Sequence, residues 1–111
     1  MKPKRKTVKN KLDKLFSEKI RSKGYCEKCG LTKNLQTSHI YSRSYLRLRW
    51  LEENATCLCA GCHFWWHQNP VEAIEWVKEI RDVEKLKEIK KKITPVKTWE
   101  MIEWYEKMQM M

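Results

Sequence analysis

Apolar residues recur every three or four positions at both ends of the chain, which is the spacing of an amphipathic helix. Near the amino terminus they predict a helix over residues 7–23 that ends at Gly24, because glycine tolerates the left-handed backbone that often follows a helix. The apolar members of this helix are Val8, Leu12, Leu15, Phe16 and Ile20.

The middle of the chain holds shorter apolar stretches separated by turn residues. These stretches predict two short strands, over residues 35–40 and 55–59. We expect the connection after Ile40 to be mostly irregular. A short helix over residues 63–68 follows the second strand.

Helical spacing returns in the last third of the chain. Asn69 and Pro70 suit the N-cap and first position of a helix that runs to about Lys92, and Thr98 can cap a last short helix. Together these elements predict an α+β fold in a single domain. It would comprise a basic arm and helix (residues 1–24), a small core (25–69) and carboxy-terminal helices (70–111).

The charge balance indicates an acidic partner. Among 111 residues, 24 lysines and arginines face 14 acidic residues, a formal net charge of +10. No apolar run is long enough for a transmembrane helix or a signal-peptide core, so we expect a cytoplasmic protein with no membrane partner. In the basic segment at the amino terminus, Lys4, Arg5 and Lys6 either contact phosphates from a mobile arm or form a solvated tail.

Four of the five cysteines form two Cys-x2-Cys pairs, Cys26 with Cys29 and Cys59 with Cys62. Two such pairs can surround one tetrahedral zinc ion with four thiolates, and an odd cysteine count with no export signal argues against disulfides. The sequence therefore predicts a structural zinc site. The other cysteine, Cys57, is interpreted as a small buried apolar residue, although a spare thiolate near the ion is the alternative.

The two cysteine pairs are farther apart than in compact zinc sites. Residues 30–58, 29 positions, separate them, whereas about 15–20 is usual for paired Cys-x2-Cys motifs. The extra length indicates an insert between the two halves of the zinc frame, and we look for function there.

All three histidines lie in or beside the zinc-framed segment. His63 and His67 are four residues apart on a predicted helix, so both imidazoles lie on one face and can bind one metal ion. Alternatively, one of them replaces a cysteine at the zinc, or the pair stacks with the neighbouring Trp65 and Trp66. His39 ends the first predicted strand, and Asn54 directly precedes the second.

This order of His39, Asn54 and His63, framed by two Cys-x2-Cys pairs, resembles the HNH endonuclease family over roughly residues 25–70. The resemblance implies a small zinc-stabilised ββα-metal core flanked by amino- and carboxy-terminal helices. It also implies a metal-dependent DNA endonuclease that leaves 5′-phosphate and 3′-hydroxyl ends. A looser likeness is to small phage-type recombination nucleases of bacterial or phage-infected cells.

The same resemblance implies a role for each residue of the motif. His39 would be the general base that activates water, a task that suits the near-neutral pKa of histidine. Asn54 would hydrogen-bond the backbone and hold His39 in orientation. His63 and His67 would hold a catalytic Mg²⁺ or Mn²⁺ ion. Ser38 departs from the family pattern, in which Asp or His at this position often binds the metal.

The insert interleaves arginines with aromatic residues, a combination that suits phosphates and bases. Arg43, closest to His39, is predicted to bind the scissile or adjacent phosphate, with Arg47 and Arg49 as further DNA contacts. Alternatively, the apolar residues of this segment form a short amphipathic turn over the zinc core, and the arginines are only solvated.

We therefore expect a DNA endonuclease acting on duplex or branched DNA, as a monomer that nicks or a homodimer that cuts both strands. The principal alternative is a non-catalytic zinc-stabilised nucleic-acid-binding module, which would bind DNA in a salt-sensitive way without cleaving it. A zinc-framed adaptor that binds another protein is a third, weaker alternative.

Overall fold

Six helices and one two-stranded antiparallel sheet make up residues 4–92 and 94–110, the part of the chain that the computed structural model describes. The α+β class expected from the sequence is confirmed over these residues. In order, the elements are α1 (Arg5–Arg21), β1 (Leu35–His39), α2 (Leu46–Arg49), a 3-10 turn (Glu52–Asn54), β2 (Ala55–Cys59), α3 (Ala60–Gln68), α4 (Pro70–Ile80), α5 (Val83–Lys91) and α6 (Thr98–Gln109).

The first helix buries the stripe that its sequence predicts. Val8, Leu12, Phe16 and Ile20 recur at steps of four and are buried, so α1 can pack on the sheet and on α6. The chain leaves α1 through Gly24, whose φ of 84° is in the left-handed region. The helix begins at Arg5, so the predicted mobile arm is wrong from that residue onward; residues 1–3 of the arm lie outside the described part.

The two strands form a hairpin that lies between two helices. Leu35 pairs with Cys59 and His39 with Ala55, so β1 ends one residue earlier than predicted. Side chains alternate between the faces of a strand. Thr37 points towards α1, where its hydroxyl lies 3.0 Å from that of Ser17. The opposite face of the hairpin is covered by α3.

The connection between the strands is more ordered than predicted. Instead of an irregular loop it forms the helix α2 and a 3-10 turn, because Leu48 and Trp50 are buried on one side of it. Trp50 packs in the same apolar cluster as Phe16 and Met101 of α1 and α6. Leu46 and Trp50 of the insert thus pack on the α1–α6 core, whereas Ile40 packs on the cluster that contains Cys26 and Cys59.

The prediction of a single helix, capped by Asn69 and running to about Lys92, is wrong. The helix is interrupted at Arg81, whose backbone is extended, and the chain forms α4 and α5 instead. Asp82 then caps α5 by accepting a hydrogen bond from the Lys85 N–H at 3.0 Å. Arg81 turns inward at the break and reaches Glu27. An N-cap residue type at Asp82 was the sequence signal for this break.

Most of the buried apolar side chains belong to two clusters on either side of the hairpin. The first lies between α1, α6 and the hairpin, and the second joins the hairpin to α3 and α4. The second cluster includes Cys26, Cys59 and Trp66, so one cysteine of each pair is buried, while Cys29 is exposed. No helix in the described residues is long and apolar enough to cross a bilayer.

Candidate active site and metal centre

Four cysteine side chains converge on one point beside the hairpin. The Sγ atoms of Cys26, Cys29, Cys59 and Cys62 all lie within 4.8 Å of one another, and those of Cys29 and Cys59 are 3.7 Å apart. Zinc–sulfur bonds of about 2.3 Å at tetrahedral angles separate two sulfurs by about 3.8 Å, whereas a disulfide separates them by about 2.05 Å. The four thiols therefore fit a metal ion such as zinc.

Local turns position both cysteine pairs. After the first pair, the Gly30 N–H donates to the Cys26 carbonyl at 2.8 Å, and Gly30 has a φ of 83° that only glycine adopts easily. The second pair sits at the junction of β2 and α3. There Cys59 is the N-cap, and its sulfur accepts a hydrogen bond from the Cys62 N–H at 3.4 Å.

The thiols of Cys26, Cys62 and Cys57 have different electrostatic surroundings. Burial disfavours a thiolate at Cys26, but hydrogen bonds with the backbone of Cys59, Cys29 and Lys28 outweigh it and lower the pKa of Cys26 to about 6. Burial and the neighbouring sulfurs raise the pKa of Cys62, as expected where thiols crowd together without a positive charge. Burial also raises the pKa of Cys57, which packs in the α1 cluster as an apolar residue.

His39 lies in an open cleft of about 320 Å³ between α1 and the end of β1. Its Nε2 is 3.0 Å from the Arg49 carbonyl oxygen, and its ring centroid is 5.9 Å from that of Phe16. A carbonyl can only accept, so Nε2 carries the proton and Nδ1 keeps a lone pair. Burial lowers the pKa of His39 below its ordinary value, so the imidazole is neutral at neutral pH.

Asn54 is fully buried and closes the connection between the strands. Its Oδ1 accepts from the Tyr41 N–H at 2.8 Å, and its Nδ2 donates to the carbonyls of Tyr41 and Leu48 at 3.1 and 3.0 Å. These bonds fix Tyr41, near the start of the connection, and Leu48, which directly precedes Arg49. The geometry thus gives Asn54 the backbone contacts that the resemblance implies.

His63 and His67 face each other along α3. Their Nε2 atoms are 3.2 Å apart, and the Nδ1 of His63 lies 2.6 Å from Oε1 of Gln36 on β1. Two nitrogens bound to one cation at about 2.0–2.1 Å would be about 2.9 Å apart in octahedral and about 3.3 Å apart in tetrahedral geometry. The two rings share a hydrogen bond: Gln36 Oε1 accepts from His63 Nδ1, so His63 Nε2 accepts from the Nε2–H of His67. The same separation matches two adjacent positions around one cation, with Gln36 orienting His63.

Ser38 lies on the face of β1 that is turned towards α3, as Gln36 does. It is 1 % exposed, and its register partner Thr56 is fully buried. In the described part of the chain, neither hydroxyl oxygen has a hydrogen-bond partner. Such groups are uncommon in folded proteins and call for an explanation.

His39 and the imidazole pair lie on opposite sides of β1. Gln36, which contacts His63, and His39 are three residues apart on the strand, so their side chains leave opposite faces. Accordingly, His39 contacts Phe16 of α1, while His63 and His67 belong to α3. A substrate atom that both His39 and the imidazole pair can reach would have to lie at the outer edge of β1, the edge that does not pair with β2.

The three arginines of the insert have different surroundings. Arg43 lines the His39 cleft, its side chain is 57 % exposed, and it pairs with Asp13 at 2.8 Å. Arg47 is engaged inside the protein: it binds Glu100 at 2.8 Å and the Pro95 carbonyl at 3.0 Å. Arg43 is thus the arginine best placed to reach a bound anion.

Asp13 is a residue of the cleft that the sequence reasoning missed. Its carboxylate accepts hydrogen bonds from Arg43, Arg49 and the Trp50 indole. Although burial opposes it, the bonds to Arg49 and Trp50 and the positive charges lower the pKa of Asp13. Two features of the sequence could have indicated it. Asp13 is the only acidic residue among the first seventeen, and it lies three positions before Phe16 on the predicted helix.

The basic residues at the amino terminus lie at the start of α1. Arg5 donates to the Thr98 hydroxyl at 3.2 Å and to the Val96 carbonyl at 2.9 Å, so it ties α1 to the beginning of α6. Lys4 and Lys6 are exposed. Their contacts with DNA stay a prediction.

Comparison of the chain with protein-family models, with curated proteins and with solved structures finds no significant match.

Proposed function

We propose that the protein is a metal-dependent endonuclease that hydrolyses phosphodiester bonds in DNA, built on a ββα-metal core. The observation that carries the proposal is the pairing of a neutral, oriented histidine with two imidazoles that fit one cation, at the two sides of a single short strand. A module that only binds DNA has no need of either arrangement.

In this proposal His39 is the general base. Its Nε2–H is engaged by the Arg49 carbonyl, so the lone pair on Nδ1 is available to take a proton from water. Burial keeps the imidazole neutral near pH 7, which is the state that a base requires. Asn54 supports the base indirectly, because it fixes the segment to which Arg49 belongs.

His63 and His67 would hold the divalent cation. When bound, such a cation stabilises the negative charge that develops on the phosphate and on the leaving 3′ oxygen. Imidazole nitrogens suit transition metals better than Mg²⁺, and Ser38 offers a neutral hydroxyl in place of a carboxylate. We therefore expect Mn²⁺, Co²⁺ or Ni²⁺ to support more activity than Mg²⁺.

The DNA backbone would cross the outer edge of β1, where the cleft of His39 and the imidazole pair flank the strand. Arg43 is the side chain we assign to the phosphate, because its guanidinium lines the cleft and is more than half exposed. The net charge of +10 favours approach to a polyanion. A zinc ion at the four cysteines would hold both ends of this core together.

The test is nicking of supercoiled plasmid in the presence of Mn²⁺ or Mg²⁺. The zinc-loaded wild type should produce open circles with 5′-phosphate ends. His39→Ala should reduce the rate by about 10²–10⁴-fold, the usual contribution of a general base. His67→Ala should abolish the response to added Mn²⁺, whereas Gln68→Ala, its exposed neighbour on α3, should not.

Zinc content and the thermal transition of each variant show whether it is folded. No nicking by the folded wild type with any divalent cation would refute the proposal, as would full activity of folded His39→Ala. The alternative of a non-catalytic nucleic-acid-binding module is favoured by the neutral Ser38 at the cation side. It predicts salt-sensitive DNA binding by the wild type, without cleavage.

A further inference from the structure

Asp13 forms the centre of a hydrogen-bond network beside His39. Its Oδ1 accepts from Arg49 Nε at 2.9 Å and from Trp50 Nε1 at 2.8 Å. Its Oδ2 accepts from Arg49 Nη2 at 2.6 Å and from Arg43 Nη2 at 2.8 Å. The Asp13 carboxylate thus binds the Arg49 guanidinium with both oxygens. It also binds Arg43 and Trp50, which lie in the same connection between the strands.

The network reaches His39 through the main chain of Arg49. The Arg49 side chain is bound by Asp13, while the Arg49 carbonyl accepts the Nε2–H of His39 at 3.0 Å. Asp13 and Phe16 are three residues apart on α1 and so lie on one face of the helix. That face therefore supplies both the ring that packs on the imidazole and the carboxylate that holds its hydrogen-bond acceptor.

We propose that Asp13 is a positioning residue for His39: by fixing Arg49, it holds the imidazole in the tautomer whose Nδ1 lone pair is available, and it keeps Arg43 in the same cleft. The catalytic part of this inference rests on the proposed function. The structural part, the tautomer of His39, stands independently of it.

The surroundings explain why a carboxylate is needed at this position. Arg43 lines the cleft and Arg49 pairs with the same carboxylate, so two guanidinium charges act on His39, and Arg49 has only 13 % of its side chain exposed. Without Asp13, a mostly buried guanidinium would lack its partner, so Arg49 would reorient towards solvent and its carbonyl would move with it. His39 would then lose the acceptor that defines its tautomer, and Nδ1 would become protonated in part of the molecules.

The ion pair of Arg47 with Glu100 provides a matched control. It also joins α2 to another helix, with 2.8 Å between Arg47 Nη1 and Glu100 Oε1. It lines no part of the His39 cleft. A general loss of stability would therefore follow from Glu100→Gln as well, whereas a change at His39 would follow from substitution of Asp13 alone.

The experiment measures the ¹⁵N chemical shifts of the His39 ring in the zinc-loaded full chain at neutral pH, together with plasmid nicking. Wild type and Glu100→Gln should show the Nε2–H tautomer. Asp13→Ala should show a mixture of both tautomers and a fall in kcat of about 10- to 100-fold, with KM changed far less. Asp13→Asn, which keeps the volume and one acceptor, should lie between them and remains informative if Asp13→Ala does not fold.

Unchanged ring shifts and unchanged kcat in folded Asp13→Asn and Asp13→Ala would overturn the inference, as would an equal tautomer change in Glu100→Gln. The result is separable from the proposed function. If the wild type does not nick DNA but the tautomer depends on Asp13, the endonuclease proposal fails and the positioning role stands. If nicking depends on His39 but not on Asp13, the endonuclease proposal stands and the positioning role of Asp13 fails.

Discussion

Glu27 and Arg81 join the first cysteine pair to the junction of α4 and α5, with 2.8 Å between Glu27 Oε1 and Arg81 Nη2. Both side chains are largely buried, 7 % and 18 % exposed. The second oxygen of Glu27 accepts from the Cys57 N–H on β2 at 2.7 Å, and Arg81 also donates to the Ala55 carbonyl at 3.1 Å. One ion pair thus links the metal-binding turn, the hairpin and the carboxy-terminal helices.

Arg81→Ala should lower the free energy of unfolding by about 2–4 kcal/mol, because the largely buried Glu27 carboxylate would lose its buried cation and keep the Cys57 N–H and the more exposed Lys23. Denaturant unfolding of the zinc-loaded protein measures the change. The matched variant is Lys91→Ala, which removes a surface pair with Glu88 and should cost less than about 0.5 kcal/mol. Equal losses in the two variants would contradict the structural role of the pair.

The cysteines provide a second comparison within one chain. Cys59→Ser should abolish stoichiometric zinc binding and cooperative unfolding, because an ion bound at the four cysteines would hold β2 and α3 to the first cysteine pair. Cys57→Ala removes only a buried apolar side chain, so it should keep its zinc and lose about 1 kcal/mol of stability. Metal analysis and thermal unfolding measure both. Loss of zinc from Cys57→Ala would show that the fifth thiol is a ligand.

The pH dependence of nicking should follow His39. Burial and the positive charges of Arg43 and Arg49 lower its pKa below the ordinary 6.5, while the Arg49 carbonyl and Asp13 oppose this shift. Because His39, as the proposed base, would act in its neutral form, the rate should rise with pH through a midpoint below 6.5 and then level off. Arg43→Gln should move the midpoint upwards, since it removes a charge that disfavours the imidazolium.

Protonation of the imidazole pair would also reduce the rate in acid, because burial and His67 lower the pKa of His63 as well. Repeating the profile at higher Mn²⁺ concentration separates the two effects. A midpoint set by competition between protons and the cation moves with Mn²⁺, whereas one set by His39 does not. A midpoint above 6.5 at saturating Mn²⁺ would argue against His39 as the base.

The parts of the site that depend on local spacing were predictable from the sequence. Helical geometry fixes residues four apart on one face, so the separation of His63 and His67 followed from their spacing. The turn of a Cys-x2-Cys pair similarly places two thiols on one ion. The mutual approach of the two pairs needed only the hairpin between them, whose strands were predicted to within one residue.

What the sequence did not reveal depends on contacts between distant elements. Asp13 and Arg49 are 36 positions apart, and no local pattern says which arginine a carboxylate will bind. The same applies to Arg47, whose guanidinium turned out to bind α6. The break at Arg81 was missed because the apolar stripe continues across it; the contact of Arg81 with Glu27, 54 positions away, has no local pattern, and the N-cap residue type at Asp82 was the one local signal.

The unpartnered hydroxyl of Ser38 leads to the last prediction. Ser38→Asp would place a carboxylate on the same face of β1 as Gln36, two positions along the strand from the residue that contacts His63. A buried charge without a partner is costly, so this variant should be less stable than wild type by several kcal/mol in the absence of added Mn²⁺. Mn²⁺ should restore much of the loss, because a ligand at 100 times its Kd stabilises by about 2.7 kcal/mol.

Thermal unfolding of the zinc-loaded protein with and without Mn²⁺ measures the response. Ser38→Asn has the same size without the charge and should be destabilised with no recovery, so equal responses of the two variants would exclude a cation site next to Ser38.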